Sequence, residues 1–151
     1  MDVDVGTDVC TKHATSLGGA WWLAREASFL LLLRRSQHIV RLIATPANAY
    51  GYYDVVLERL YPFKHLTGHV VREVISGLQY MHALCVIHAD INPSNIMMSK
   101  AGRVKFIDFN LSLFALSAAS GAGTGASASG SLACSLLTDF VQAQGVIRRP
   151  R

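Results

Sequence analysis

The sequence predicts an α+β fold, with strands and a buried helix first and a second helix followed by a hairpin after them. Three observations carry this. Ile39 to Ala44 and Tyr52 to Leu57 are rich in β-branched and aromatic residues and are joined by a turn containing Pro46. Of two other stretches, Trp22 to Arg34 is apolar nearly all round and His69 to His82 repeats its apolar residues at helical spacing. Finally, two short apolar runs flank Ser99-Lys100-Ala101-Gly102, a sequence suited to a hairpin turn.

Taken in chain order, Val9 to Lys12 reads as a short strand. Trp22 to Arg34 reads as a helix that is apolar nearly all round, which implies burial on several sides and places Trp21 and Trp22 in a core or an interface. The two strands follow. His69 to His82 is the second helix, with Val70, Val71, Val74, Ile75, Leu78 and Met81 at helical spacing on one apolar face. Ile96 to Met98 and Val104 to Ile107 form the hairpin. Beyond residue 117 the composition changes. Residues 118–131 are a run of Gly, Ala, Ser and Thr that cannot bury enough surface to offset its ordering entropy, and read as a linker. Residues 132–151 hold a short apolar segment, Leu132 to Val141, and a basic tail. The domain expected to carry the fold is therefore 1–117.

At 151 residues, 51% of them hydrophobic, the chain can bury one core, yet it falls short of a two-lobed enzyme of roughly 250 residues. The net charge of +4 comes from scattered Lys and Arg plus Arg148, Arg149 and Arg151, so a solvated surface is expected and no specific nucleic-acid partner. Cys10, Cys85 and Cys134 lack metal-ligand spacing and fit a reducing compartment. The acidic N-terminus is the wrong sign for a signal peptide. Ala20 to Leu33, broken by Arg25 and Glu26, is too short for a bilayer core of ~30 Å. These features predict a soluble, intracellular protein of the cytoplasm or nucleus, with no membrane partner.

The chemistry is concentrated in His88-Ala89-Asp90-Ile91-Asn92-Pro93-Ser94-Asn95 and Phe106-Ile107-Asp108-Phe109-Asn110. The first is a loop after an amphipathic helix, with an Asp at its start and an Asn further on. The hairpin then delivers a second Asp at the end of an apolar strand. Phosphoryl transfer needs such parts: one carboxylate to accept a hydroxyl proton, and an amide oxygen with a second carboxylate to hold Mg²⁺ against phosphates. His65 and His69, four apart, could share a helix face, but no acid or third ligand accompanies them, so zinc is not expected.

These residues resemble the catalytic loop and the Asp-Phe-Gly motif of eukaryotic-type protein kinases. The resemblance implies a partial bilobal kinase fold: small-lobe strands with an αC-like helix, a hinge near Glu58-Arg59-Leu60, and the start of a helical large lobe. It implies ATP and Mg²⁺ as cofactors. Asp90 would be the catalytic base, Asn95 and Asp108 the Mg²⁺ ligands, His88 a brace and Phe109 a packing residue between the lobes. Upstream, Lys12 would position the phosphates and pair with Glu26; read without the resemblance, Lys12 is a solvated lysine and Glu26 a helix-surface acid beside Arg25. Pro93-Ser94-Asn95 leans towards Ser/Thr hydroxyls of a protein substrate. Pro62-Phe63-Lys64 and Val71-Arg72-Glu73, taken with these motifs, also resemble the cell-division-cycle kinases of replication initiation.

Several positions depart from the family pattern. Ala89 stands where an Arg grips a phosphorylated activation loop, and Asn92 where a Lys neighbours the transferred phosphate. Asn110 replaces the Gly after Asp-Phe, at a position where a left-handed backbone is expected and Asn tolerates it. No Gly-x-Gly-x-x-Gly precedes Val9, and no Ala-Pro-Glu follows Asp108. A truncated or divergent kinase is expected. Its rival is a catalytically inactive, pseudokinase-like binding module. Helix 69–82 is expected to keep apolar surface without a partner, so that the chain self-associates or takes a regulatory protein partner.

Overall fold

The computed structural model describes residues 2–5, 8–62, 65 and 67–115. The expected linker at 118–131 and the segment at 132–151 lie outside the described residues.

A four-stranded antiparallel sheet comes first. It is built from β1 (Asp2–Val5), β2 (Val9–His13), β3 (Leu42–Ala44) and β4 (Val55–Glu58), in the spatial order β1-β2-β4-β3. Strand β1 was not anticipated, although the alternation Asp-Val-Asp-Val is a strand pattern. It pairs with β2 in the register Asp2 to His13. The strands expected at Ile39 to Ala44 and Tyr52 to Leu57 also differ from expectation. The segment around Ile39 leaves the sheet: Ile39 makes a parallel bridge to Phe106, and Val40 N–H donates to the Phe106 carbonyl at 3.0 Å. Residues 47–53 form a turn instead of the start of a strand. Asn48 Oδ1 accepts the backbone N–H groups of Tyr50 and Tyr52 at 3.0 and 3.1 Å, a local bond that competes with strand pairing.

Helix α1 (Leu17–Leu33) begins five residues earlier than the sequence suggested. Ser16 caps it, its hydroxyl accepting Gly19 N–H at 3.2 Å, so the first turn includes the Gly18-Gly19 pair. The helix buries one face, with Leu23, Glu26, Ala27, Leu30 and Leu33 among the buried residues. The opposite face corrects the expectation of burial on several sides. Trp21 and Trp22 are 43% and 38% exposed, and stand edge to face at 4.7 Å.

Helix α2 (Gly68–Ala83) is capped by Thr67 and carries the second layer. His65 lies before its first turn, so His65 and His69 do not share a helix face. Val70, Gly77 and Met81 are buried, while Val71 and Ile75 are 41% and 48% exposed and keep an apolar side open, as expected. Four short strands follow the helix. They are β5 (Val86–Ile87), which pairs with β8 (Leu113–Phe114), and the hairpin of β6 (Ile96–Met98) and β7 (Val104–Phe106). The turn of that hairpin is the predicted one: Gly102 has φ 77° and its N–H donates to the Ser99 carbonyl at 2.9 Å. A single core, including Leu23, Leu30, Val55, Met81, Phe106 and Phe109, runs through both layers.

Candidate active site

Lys12 and Glu26 come together because β2 and α1 are adjacent and both residues face the core. Lys12 Nζ lies 2.8 Å from each Glu26 oxygen, and Glu26 is only 1% exposed. The helix-surface reading of Glu26 and the solvated reading of Lys12 are both overturned. Burial opposes the charge of Lys12, but the carboxylates of Glu26 and Asp108 outweigh it and raise its pKa. Burial likewise pushes the Glu26 carboxyl up, and the ammonium offsets only part of that.

Asp108 reaches the same ammonium: Lys12 Nζ donates to its Oδ1 at 3.3 Å. Its backbone is left-handed, at φ 64°, and the residues after it turn at once into a short 3-10 turn, Phe109–Leu111. The left-handed residue was expected at Asn110, which instead lies inside that turn. Arg25 holds the turn against α1. Its Nε donates to the Asn110 carbonyl at 2.9 Å, and a terminal nitrogen donates to the Ser112 carbonyl. Sequence reasoning saw Arg25 only as an interruption of an apolar run. Nothing local signals a partner 85 residues away.

The residues of the 90–95 loop form a closed network. Asn95 Nδ2 donates to Asp90 Oδ2 at 2.7 Å and to the Asp90 carbonyl at 3.0 Å. Asn92 Nδ2 donates to Asp90 Oδ1 at 3.1 Å, and Asn92 Oδ1 caps the Pro93–Asn95 turn by accepting Ser94 and Asn95 N–H. Asn92 therefore positions the loop and its Asp. Because both N–H donors of Asn95 are spent on Asp90, its Oδ1 is left for a cation. The Asn95 carbonyl accepts Ile107 N–H at 3.0 Å, which ties this amide to the residue just before Asp108. An amide oxygen and a carboxylate are the kind of ligands that Mg²⁺ takes, hard oxygens and usually few from protein.

His88 is 2% exposed and braces this assembly. Its Nε2–H donates to the Ile107 carbonyl at 2.8 Å, and its Nδ1 accepts Asp90 N–H at 3.3 Å, so the ring is neutral. Burial lowers its pKa, against the smaller opposing pull of the Ile107 carbonyl and the two aspartates. The ring centroid lies 4.6 Å from that of the buried Phe109. Among the described residues, no group of three His, Cys, Asp or Glu side chains is gathered as a metal site, and no helix is long and apolar enough to cross a membrane.

Comparison with known proteins agrees with this geometry. The family model for the protein kinase domain matches residues 19–128. Sperm motility kinase 3A of Mus musculus is 28% identical over 120 residues, covering 70% of this chain and 23% of that protein. MAP kinase kinase skh1/pek1 of Schizosaccharomyces pombe is 42% identical over 60 residues, 40% of this chain and 16% of its own. Serine/threonine-protein kinase GRIK1 of Arabidopsis thaliana is 50% identical over 42 residues, 28% of this chain and 11% of its own. The chain belongs to the protein kinase family, of the eukaryotic Ser/Thr type, and spans a quarter or less of the length of these relatives. These relatives support the family without singling out the cell-division-cycle kinases.

Proposed function

We propose that this site transfers the γ-phosphoryl group of ATP to Ser or Thr hydroxyls of a protein substrate. The observation that carries the reading is the convergence of Lys12, Glu26 and Asp108 in one ion-paired cluster, while Asp90 and Asn95 are bonded to each other. Bound Mg²⁺ would neutralise phosphate charge. Asn95 and Asp108 are the residues that would hold it. Lys12, fixed by Glu26, would orient the phosphates. Asp90 would take the hydroxyl proton as the substrate oxygen bonds to the γ-phosphorus and the bond to the bridging oxygen of the leaving ADP breaks. Ala89 carries no guanidinium, so this site would not be switched by a phosphorylated loop gripped at that position. The binding-module reading is not favoured, because a cleft that merely binds has no use for the Asn95 and Asn92 bonds that orient Asp90. A protein substrate, a regulatory protein partner, and a cytoplasmic or nuclear location belong to the same reading.

Calorimetry of ATP binding with and without Mg²⁺, on this chain and on Asp108→Ala, is the test. Binding that needs both Mg²⁺ and Asp108 is expected. Asp90→Asn should keep that binding and lose phosphotransfer by at least about a hundredfold, the lower range for a general base. Equal binding by Asp108→Ala would overturn the assignment.

A further inference from the structure

Away from the candidate active site, two adjoining cavities of about 500 and 390 Å³ share Arg41 and Lys105 as walls. None of Lys12, Glu26, Asp90, Asn95 and Asp108 lines either one. In the larger cavity four cations, Arg34, Arg35, Arg41 and Lys105, stand around a floor to which the half-buried Leu31 and Leu42 give apolar surface, with Ile39 and Val40 buried beneath, and no carboxylate lines it. The smaller adds Arg59 and Lys100, with Asp8 and Glu58 opposite. Lys105 is fixed, at 2.6 Å from Glu58 Oε1 and 3.1 Å from the Ile39 carbonyl. The guanidinium groups of Arg34, Arg35 and Arg41 have no ion pair or hydrogen bond among the described residues. The chain brings these charges together from the end of α1, the start of β3 and the β6–β7 hairpin, which is why the sequence shows them as scattered.

We propose that this groove docks an acidic peptide segment of another protein, rich in Asp and Glu or phosphorylated. Unpartnered cations walling a concavity focus positive potential and raise the local concentration of anions. The apolar floor suits the aliphatic side chains that a peptide, unlike a phosphate backbone, places between its charges. Single-stranded nucleic acid would need aromatic platforms for its bases. Tyr61 is the one aromatic among the described lining residues, and Arg59 already lies over its ring at 5.6 Å. Asp8 and Glu58 would also repel an unbroken string of phosphates, whereas a peptide can present a neutral or basic residue there.

The test is fluorescence anisotropy with a labelled Glu-rich peptide, its phosphoserine counterpart and an oligothymidylate. It is run on the full chain, on Arg34→Ala/Arg35→Ala/Arg41→Ala, and on the tail variant Arg148→Ala/Arg149→Ala/Arg151→Ala. All three groove arginines are exposed, so circular dichroism should show the fold retained; Arg41→Gln alone serves if it does not. Binding of either peptide should weaken about tenfold or more in the groove variant, and severalfold in Arg41→Gln. It should fall with added salt, and be unaffected by Mg²⁺-ATP and by the tail substitutions. Which peptide binds more tightly identifies the source of the negative charge. Binding that survives the groove substitutions, is lost with the tail, is absent from the folded chain, or is tighter for the oligonucleotide overturns the proposal.

Discussion

Gly77 lies against the ring of Phe106 with no room for a side chain: a methyl group on its Cα would stand 2.5 Å from Phe106 Cε2 and 3.0 Å from His38 Cβ. This contact seats α2 directly on β7. The loop bearing His88 and Asp90 begins just beyond α2, and Asp108 follows β7. This packing and the bonds of His88 and Asn95 to Ile107 together hold the two acids in place.

Gly77→Ala should therefore destabilise the chain. Overpacking a core typically costs about 1–3 kcal/mol, more than the ~1 kcal/mol that Ala gains over Gly in a helix. Phe106 is fully buried and cannot yield. A urea titration should show a lowered midpoint. Gly68→Ala, where the nearest atom is the end of the Arg72 side chain at 3.6 Å, should leave it unchanged or raise it.

How much of this was legible in the sequence depends on the range over which each contact acts. Asp90, Asn95 and Asp108 were legible because each sits in a contiguous motif and a recognisable turn separates the motifs. Lys12 and Glu26 were legible only through the family resemblance. Their pairing needs β2 and α1 side by side, and nothing in Val9 to Lys12 alone encodes that. The Asp-Val-Asp-Val strand was missed because four residues give too little periodicity to weigh. Trp21 and Trp22 were misread because size and apolarity say nothing about which side of a helix faces the core. Ile39 was assigned to the sheet on β-propensity, and tertiary pairing with Phe106 overrode it. The left-handed residue was misplaced by two positions, because the family pattern puts a Gly where the chain turns into helical geometry.

Lys12 and Glu26 should respond unequally to neutralisation. Glu26→Gln leaves Lys12 with Asp108 at 3.3 Å, so the cation is not stranded, and a cost of about 1–2 kcal/mol is expected. Lys12→Met leaves a carboxyl that is 1% exposed without its cation, a loss on the order of 3–5 kcal/mol while it stays ionised. The Glu26 pKa is already raised, and losing the ammonium raises it further. For a raised pKa, stability is present below the unfolded value and is lost as pH rises through the folded one. Lys12→Met should accordingly be more stable in mild acid than at pH 8, and the gap to Glu26→Gln should narrow in acid. Denaturant midpoints across pH check this; a flat profile for Lys12→Met contradicts it.

Asp54 gives the opposite pH signature. Its Oδ1 accepts Asn48 Nδ2 at 2.6 Å, and its Oδ2 lies 2.8 Å from His13 Nδ1, tying the 47–53 turn to β2. Burial opposes ionisation there, but the hydrogen bonds of Asn48 and His13 outweigh it and hold the carboxyl below its ordinary 3.8. A lowered pKa contributes stability that is complete above the unfolded value and is lost as pH falls through the folded one. Asp54→Asn should therefore be less stable than the parent by about 1 kcal/mol at neutral pH. The difference should shrink below pH ~4, where the parent itself loses the charge. A difference that persists in acid would assign the effect to packing.

His88 places a second acid-sensitive step at higher pH. The neutral ring uses Nδ1 as an acceptor for Asp90 N–H, and a proton on Nδ1 would turn that bond into a clash of donors. Burial holds the imidazole below its ordinary 6.5. Its contribution is therefore complete above pH 6.5 and is lost as pH falls through the lowered value. Proton NMR of the imidazole should give a titration midpoint below 6.5, accompanied by loss of the signals of the Asp90 loop. A midpoint at or above 6.5 would rule the arrangement out. His88→Phe keeps a ring between Phe106 and Phe109 but removes both hydrogen bonds. It should start lower in stability by about 1–2 kcal/mol and lack this acid-dependent component, because no proton can then enter the brace.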